Sequence, residues 1–170
     1  MRRIIVGLLL AATAAGPVWA QTTANPVVNS YLARGLTSAE AQRRIELSRT
    51  AAQLQQRIAV EEPVRFAGLY IDDGTDFRVV VRLVGNADGL LQKYTTDPAF
   101  VAEKAEKPLR AQLNKKAAME RAMDARKLDY SSDYDVRSGR FRIAATKPAE
   151  AKNAIAGAAT TDDVDLVQVD

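Results

Sequence analysis

Three observations predict an α+β fold for this chain of 170 residues. A capping box, Thr37-Ser38-Ala39-Glu40, opens a stretch of helical period. From Phe66 onward apolar residues fall at alternate positions, marking strands, and a second helical stretch divides those strands into two groups. Read from Phe77, the order is strand, helix, strand, strand, helix, strand, the split β-α-β order of ferredoxin-like sheets. The run at 66–71 then adds an N-terminal edge strand, and the amphipathic helix precedes it.

Residues 1–20 read as a cleavable secretory signal. Arg2 and Arg3 give a positive start, Ile4 to Ala15 an uncharged apolar core, Gly16-Pro17 a helix break and Val18-Trp19-Ala20 a cleavage site. The apolar run is about a dozen residues, short of the roughly 20 that span a bilayer, so no stable membrane insertion is expected after cleavage. The mature chain is expected to start near Gln21 in the periplasm or outside a bacterial cell. No cysteine is present, which suits an exported bacterial protein held by its core and excludes disulfides, thiol nucleophiles and thiolate metal sites.

Charge excludes a second class. The chain carries 24 Lys+Arg against 21 Asp+Glu, a formal +3, and two of those cations lie in the signal. The remainder is nearly neutral and has no general attraction for nucleic acid. With no histidine there is no imidazole base and no Ser-His-Asp triad. No Ser-x-x-Lys motif or glycine-rich phosphate loop occurs either. The expectation is a non-catalytic domain with no cofactor and no metal.

The elements follow in order. Residues 21–36 read as a flexible N-terminal arm. Thr37 caps a helix assigned to 37–62, in which Leu47, Ala51, Leu54 and Ile58 share one face. Arg43, Arg44, Arg49, Gln53 and Gln56 form the opposite, solvated face. Residues 63–170 are assigned to one α+β module. In it, Phe77, Val79, Val81 and Leu83 alternate with their neighbours, and Asp72-Asp73-Gly74-Thr75-Asp76 joins this strand to 66–71. Turn chemistry accounts for those aspartates better than calcium, since the spacing is not that of an EF-hand loop.

Asp97-Pro98 and Lys107-Pro108 each read as a helix start. Behind the second, Leu109, Leu113 and Ala117 share a face, with Met119 and Met123 beside it, and the helix is expected to end near Arg126 or Lys127. Leu128 to Val136 and Phe141 to Ala145 alternate across Arg137-Ser138-Gly139 as a hairpin. Thr146 caps a short helix with Pro148 in its first turn, and Val164 to Val169 is a closing strand. No internal repeat is apparent.

Phe66-Ala67-Gly68-Leu69-Tyr70-Ile71 followed by Phe77-Arg78-Val79-Val80-Val81 resembles the hairpin in prodomains of secreted chymotrypsin-like serine peptidases of the alpha-lytic and streptogrisin kind. Lys93-Tyr94-Thr95-Thr96-Asp97-Pro98-Ala99-Phe100-Val101 resembles the segment that follows it in those prodomains. The likeness covers roughly residues 62–169, without a catalytic domain after it. It implies an α/β module that binds a serine peptidase, assists its folding and inhibits it, here in trans. It also implies a C-terminal tail laid along the substrate cleft, which makes Val167, Gln168, Val169 and Asp170 the expected partner-binding residues. The plainer expectation for 164–169 is the last strand of the sheet. The competing function is a structural or adaptor protein of the bacterial envelope, which would expose the Leu47/Leu54/Ile58 stripe to a partner.

Overall fold

The computed structural model describes residues 26–169; the expected signal segment, residues 21–25 and Asp170 lie outside the described residues. The arm is not loose throughout: α1 (Pro26–Ala33) is helical, and Arg34 behind it pairs with Asp73. Next come α2 (Ser38–Glu61), β1 (Phe66–Asp72), β2 (Arg78–Val84), α3 (Ala87–Leu91) and β3 (Phe100–Ala105). The second half is α4 (Leu109–Asp124), β4 (Tyr130–Asp135), β5 (Arg140–Ala145), α5 (Pro148–Ile155) and β6 (Val164–Gln168).

The α+β class holds, but the strands divide between two mixed sheets of three rather than joining one ferredoxin-like sheet. The orders are β1-β2-β3 and β4-β5-β6. The segment after Asp97 decides this. Asp97 does not cap a helix; its Oδ1 accepts from the Ala99 N–H at 2.8 Å, the short-range bond of an Asx turn. The chain leaves that turn extended, and the Val79 N–H donates to the Ala99 carbonyl. β3 then runs parallel to β2 from the Val79–Phe100 pair to the Val84–Ala105 pair. β2 thus has neighbours on both sides, and no strand of the second half can join it.

The order helix, hairpin, short helix, parallel strand occurs twice: α2-β1-β2-α3-β3 and α4-β4-β5-α5-β6. The expectation of no repeat is therefore corrected at the level of structure. Buried positions of the long helices correspond at a constant spacing: Leu47, Leu54 and Ile58 in α2 match Gln112, Met119 and Met123 in α4. The residues themselves differ, which hides the repeat from sequence inspection.

Each unit has its own core. In the first, Leu47, Ala51, Leu54 and Ile58 pack on Val79, Val81, Leu83 and Phe100, so α2 belongs to the sheet that follows it. In the second, Met119 and Met123 meet Phe141, Ile143, Ala145, Ala151 and Ile155. The methionines are the core face of α4, whereas Leu113, of the Leu109/Leu113/Ala117 face, is 49% exposed. The Thr37 cap holds, its Oγ accepting from the Glu40 N–H at 3.2 Å. Thr146 does not cap α5; Lys147 stands at that position without a side-chain capping bond.

Arg44, expected on the wet face of α2, is buried. Its Nε donates to Glu40 at 2.9 Å and its Nη1 to Asp73 at 2.7 Å, and its guanidinium lies 5.3 Å from the Phe77 ring centroid. Paired charge and aromatic faces replace the water this cation gives up. The two outer aspartates aside, the β1–β2 turn is thus tied to α2 and α1 through Asp73, whose carboxyl the two arginines hold below its ordinary value against the opposing effect of burial.

Candidate partner-binding edge and unit junction

β6 pairs with β5 on one side only, and among the described residues no strand pairs with its other edge. The pairing is parallel, from Phe141–Val164 to Ala145–Gln168, and the Val169 N–H extends it to the Ala145 carbonyl at 3.2 Å. Val167, Gln168 and Val169 are therefore the end of a sheet strand, and all three are exposed. Asp170 lies outside the described residues. Val164 and Leu166 face inward onto the second core, while Val167 faces out beside Ser131, Asp133, Arg142 and Ala144.

Arg140 fixes β6 in place. Its Nε and Nη2 both donate to Asp165 Oδ1, at 2.9 and 2.6 Å, and its Nη2 reaches the Val164 carbonyl at 3.4 Å. The Arg140 guanidinium holds the Asp165 carboxyl below its ordinary pKa through that bond. Ahead of the strand, Asp163 accepts from Lys115 of α4 and from the Thr160 hydroxyl and N–H. These donors hold its carboxyl far below the usual carboxylate range. Both contacts lie at the start of β6, so among the described residues its far half presents an edge with no strand beside it.

A polar junction joins the two units. The β4–β5 turn docks on the first sheet, with Val136 seated over Gly68 so closely that a Cβ there would lie 2.5 Å from Val136 Cγ1. The bulge in β1 between Phe66 and Gly68 makes that notch. Arg82 donates to the Val136 carbonyl, and its Nε lies 2.8 Å from Glu103 Oε1 as an ion pair without hydrogen-bond alignment. The Tyr70 hydroxyl donates to Glu103 at 2.9 Å. Arg137 pairs with Asp72 and lies 5.0 Å over the Tyr70 ring. Burial, and then the Glu103 carboxylate, push the Tyr70 hydroxyl above its ordinary pKa.

Beside this junction is a polar recess of about 350 Å³, lined by Arg82, Lys104, Gln112, Tyr134 and Asp163 among others. Two of its charges are matched within the protein, Arg82 by Glu103 and Asp163 by Lys115, while Lys104, Glu106 and Lys107 also line it. At the C-terminal end of α4, burial and the Asp124 carboxylate raise the Tyr130 hydroxyl to about 12, so it stays protonated as a donor to Asp124 at 2.8 Å. These groups bond to one another and orient elements.

Sequence reasoning did not find the junction. The signals for it are a glycine in an apolar strand and a valine before a turn, which acquire meaning only once the two halves meet. Comparison with protein-family models and with curated proteins finds no match to this chain.

Proposed function

We propose that this protein is an exported, non-catalytic binding module that engages a secreted chymotrypsin-like serine peptidase, as an inhibitor or a folding assistant. The observation that carries this reading over an envelope adaptor is the burial of the α2 stripe. Leu47, Leu54 and Ile58 lie in the first core, so the face an adaptor would offer to a partner helix is already occupied. The edge of β6 that no described strand covers is the complementary feature, because an unpaired strand edge can accept an extended backbone while alternate side chains select it. Val167 and Val169 project from that edge region at 53% and 41% exposure.

The test is inhibition of secreted peptidases of the chymotrypsin, trypsin and elastase types by the purified protein. Saturable inhibition without digestion of the added protein is the expected result. Removing residues 167–170 should abolish it while the thermal transition is retained. Digestion of the intact protein, or no effect across the panel, would sink the reading and leave the adaptor role as the one to pursue.

A further inference from the structure

The repeat places one surface feature twice, and the two copies have different chemistry. In the second unit a pocket of about 490 Å³ opens between α5 and β6, lined by Lys152, Ile155, Ala156, Ala159, Val164 and Leu166, with Thr160 at its edge. In the first unit, Asp88, Leu91, Gln92, Thr95, Phe100 and Ala102, with Thr96, line a recess of about 290 Å³ between α3 and β3. Each residue of the larger pocket stands 64 positions after its counterpart in the smaller one. The backbone agrees: the Tyr94 and Thr95 N–H groups close on the Leu91 carbonyl as those of Ala158 and Ala159 close on Ile155.

The difference in size has a side-chain cause. Where the first unit has Gln92, Thr95 and Phe100, the second has Ala156, Ala159 and Val164. Phe100 is buried and fills its side of the first recess; the smaller residues leave the second open. The exchange also strips polar groups, so the walls are aliphatic apart from Thr160, whose hydroxyl is already bonded to Asp163. The first unit folds with a smaller and more polar recess, so an open apolar pocket is not a requirement of this fold. Its volume is that of small-molecule sites, which run from roughly 300 to 1,000 Å³.

Charge specifies the occupant. Lys152 stands at the rim where the first unit has Asp88, an inversion of sign. It makes no ion pair among the described residues, while Lys147 at the N-cap of α5 and Glu150 in its first turn pair with each other. Of the two acids between α5 and β6, Asp162 and Asp163, the second is neutralised by Lys115, and neither forms an ion pair with Lys152 among the described residues. An aliphatic body beneath an unmatched ammonium fits an amphiphile with an anionic head. We propose that this pocket binds a medium-chain aliphatic carboxylate, with the chain against Ile155, Ala159, Val164 and Leu166 and the carboxylate on the Lys152 Nζ. This site is independent of any peptidase partner.

The experiment titrates the purified protein with decanoate and with decanol, below their aggregation concentrations, following backbone amide resonances. Decanoate should move the amides of 152–166 saturably and leave those of 88–102 in place, and decanol should bind about tenfold more weakly. Lys152→Glu should weaken decanoate by about tenfold or more while leaving decanol unchanged. Ala159→Leu should block both; if it does not fold, Ala156→Leu serves, each checked by its thermal transition. Equal binding of acid and alcohol, shifts centred elsewhere, undiminished binding in a folded filled variant, or no saturable shift at all would each overturn the proposal.

Discussion

The two halves of this molecule share a connectivity and differ in what surrounds it. The first unit is preceded by α1 and by the early turns of α2, which clasp the β1–β2 turn through Arg44, Arg34 and Asp73. The second has no such clasp: α4 starts at Leu109, and the β4–β5 turn instead rests on the neighbouring sheet at Gly68. One hairpin tip is therefore stabilised from within its own unit and the other by its partner unit. The lesson is that an αββαβ unit of this size buries its sheet on one helix layer but leaves the hairpin tip in need of a support from elsewhere.

The largest effects should come from emptying one core at a time. Ile58→Ala and Met123→Ala remove fully buried side chains from the first and second cores and should each cost about 2–5 kcal/mol. Native-state hydrogen exchange distinguishes the halves: Ile58→Ala should lower protection chiefly in β1 to β3, and Met123→Ala chiefly in β4 to β6. Equal loss across both sheets for either variant would show one cooperative body and remove the contrast between units.

Next in size is the junction. Gly68 has φ +120 and Val136 directly over it, so Gly68→Val meets both backbone strain and overlap and should cost about 2 kcal/mol or more. Small-angle scattering should show the units separating, with each sheet's circular dichroism kept. Unchanged dimensions would mean that Arg137–Asp72 and Arg82 hold the units without the notch.

Asp163 offers a smaller, pH-dependent difference, since its counterpart in the first unit is Ala99. Its carboxyl is lowered by Lys115 and then Thr160. A lowered carboxylate stabilises the fold above its ordinary pKa of about 4, and that contribution fades as pH falls below this toward the folded value. Asp163→Asn should therefore cost about 1–2 kcal/mol at pH 7, and the gap to the parent should narrow below about pH 4. A gap independent of pH in a denaturant series would assign the effect to packing.

The smallest expected effect is a gain. Lys127, just past α4, has φ 53, a left-handed position that glycine occupies without its Cβ penalty. Lys127→Gly should stabilise the second unit by up to about 1 kcal/mol, visible as a raised Tm. No gain would mean that the added freedom of the unfolded glycine cancels the relief.

Most elements were legible because their signals are local. The Thr37 cap, the alternation at 77–84 and the two aromatics of β4 each depend on neighbours within a few positions. The closing strand at 164–169 was legible from its alternation, as the plainer of its two readings. Three features were not. Asp97-Pro98 carries the same letters for a helix start and an Asx turn, and the choice depends on the open edge of β2. Arg44 looks like any solvated arginine until Asp73 arrives from 29 positions away. The repeat escaped notice because burial is shared between the halves while residue identity is not.

The parallel ladders carry a kinetic consequence. Val79 pairs with Phe100 and Phe141 with Val164, 21 and 23 positions on, and every other strand pair is closer still in sequence. Parallel pairing ordinarily means distant partners, slow loop closure and long exposure of sticky edges. Here each ladder is closed by a crossover short enough to form early. The first sheet is complete at Ala105, so a chain delivered from its N-terminus can finish one core before any strand of the other exists to compete for its edges.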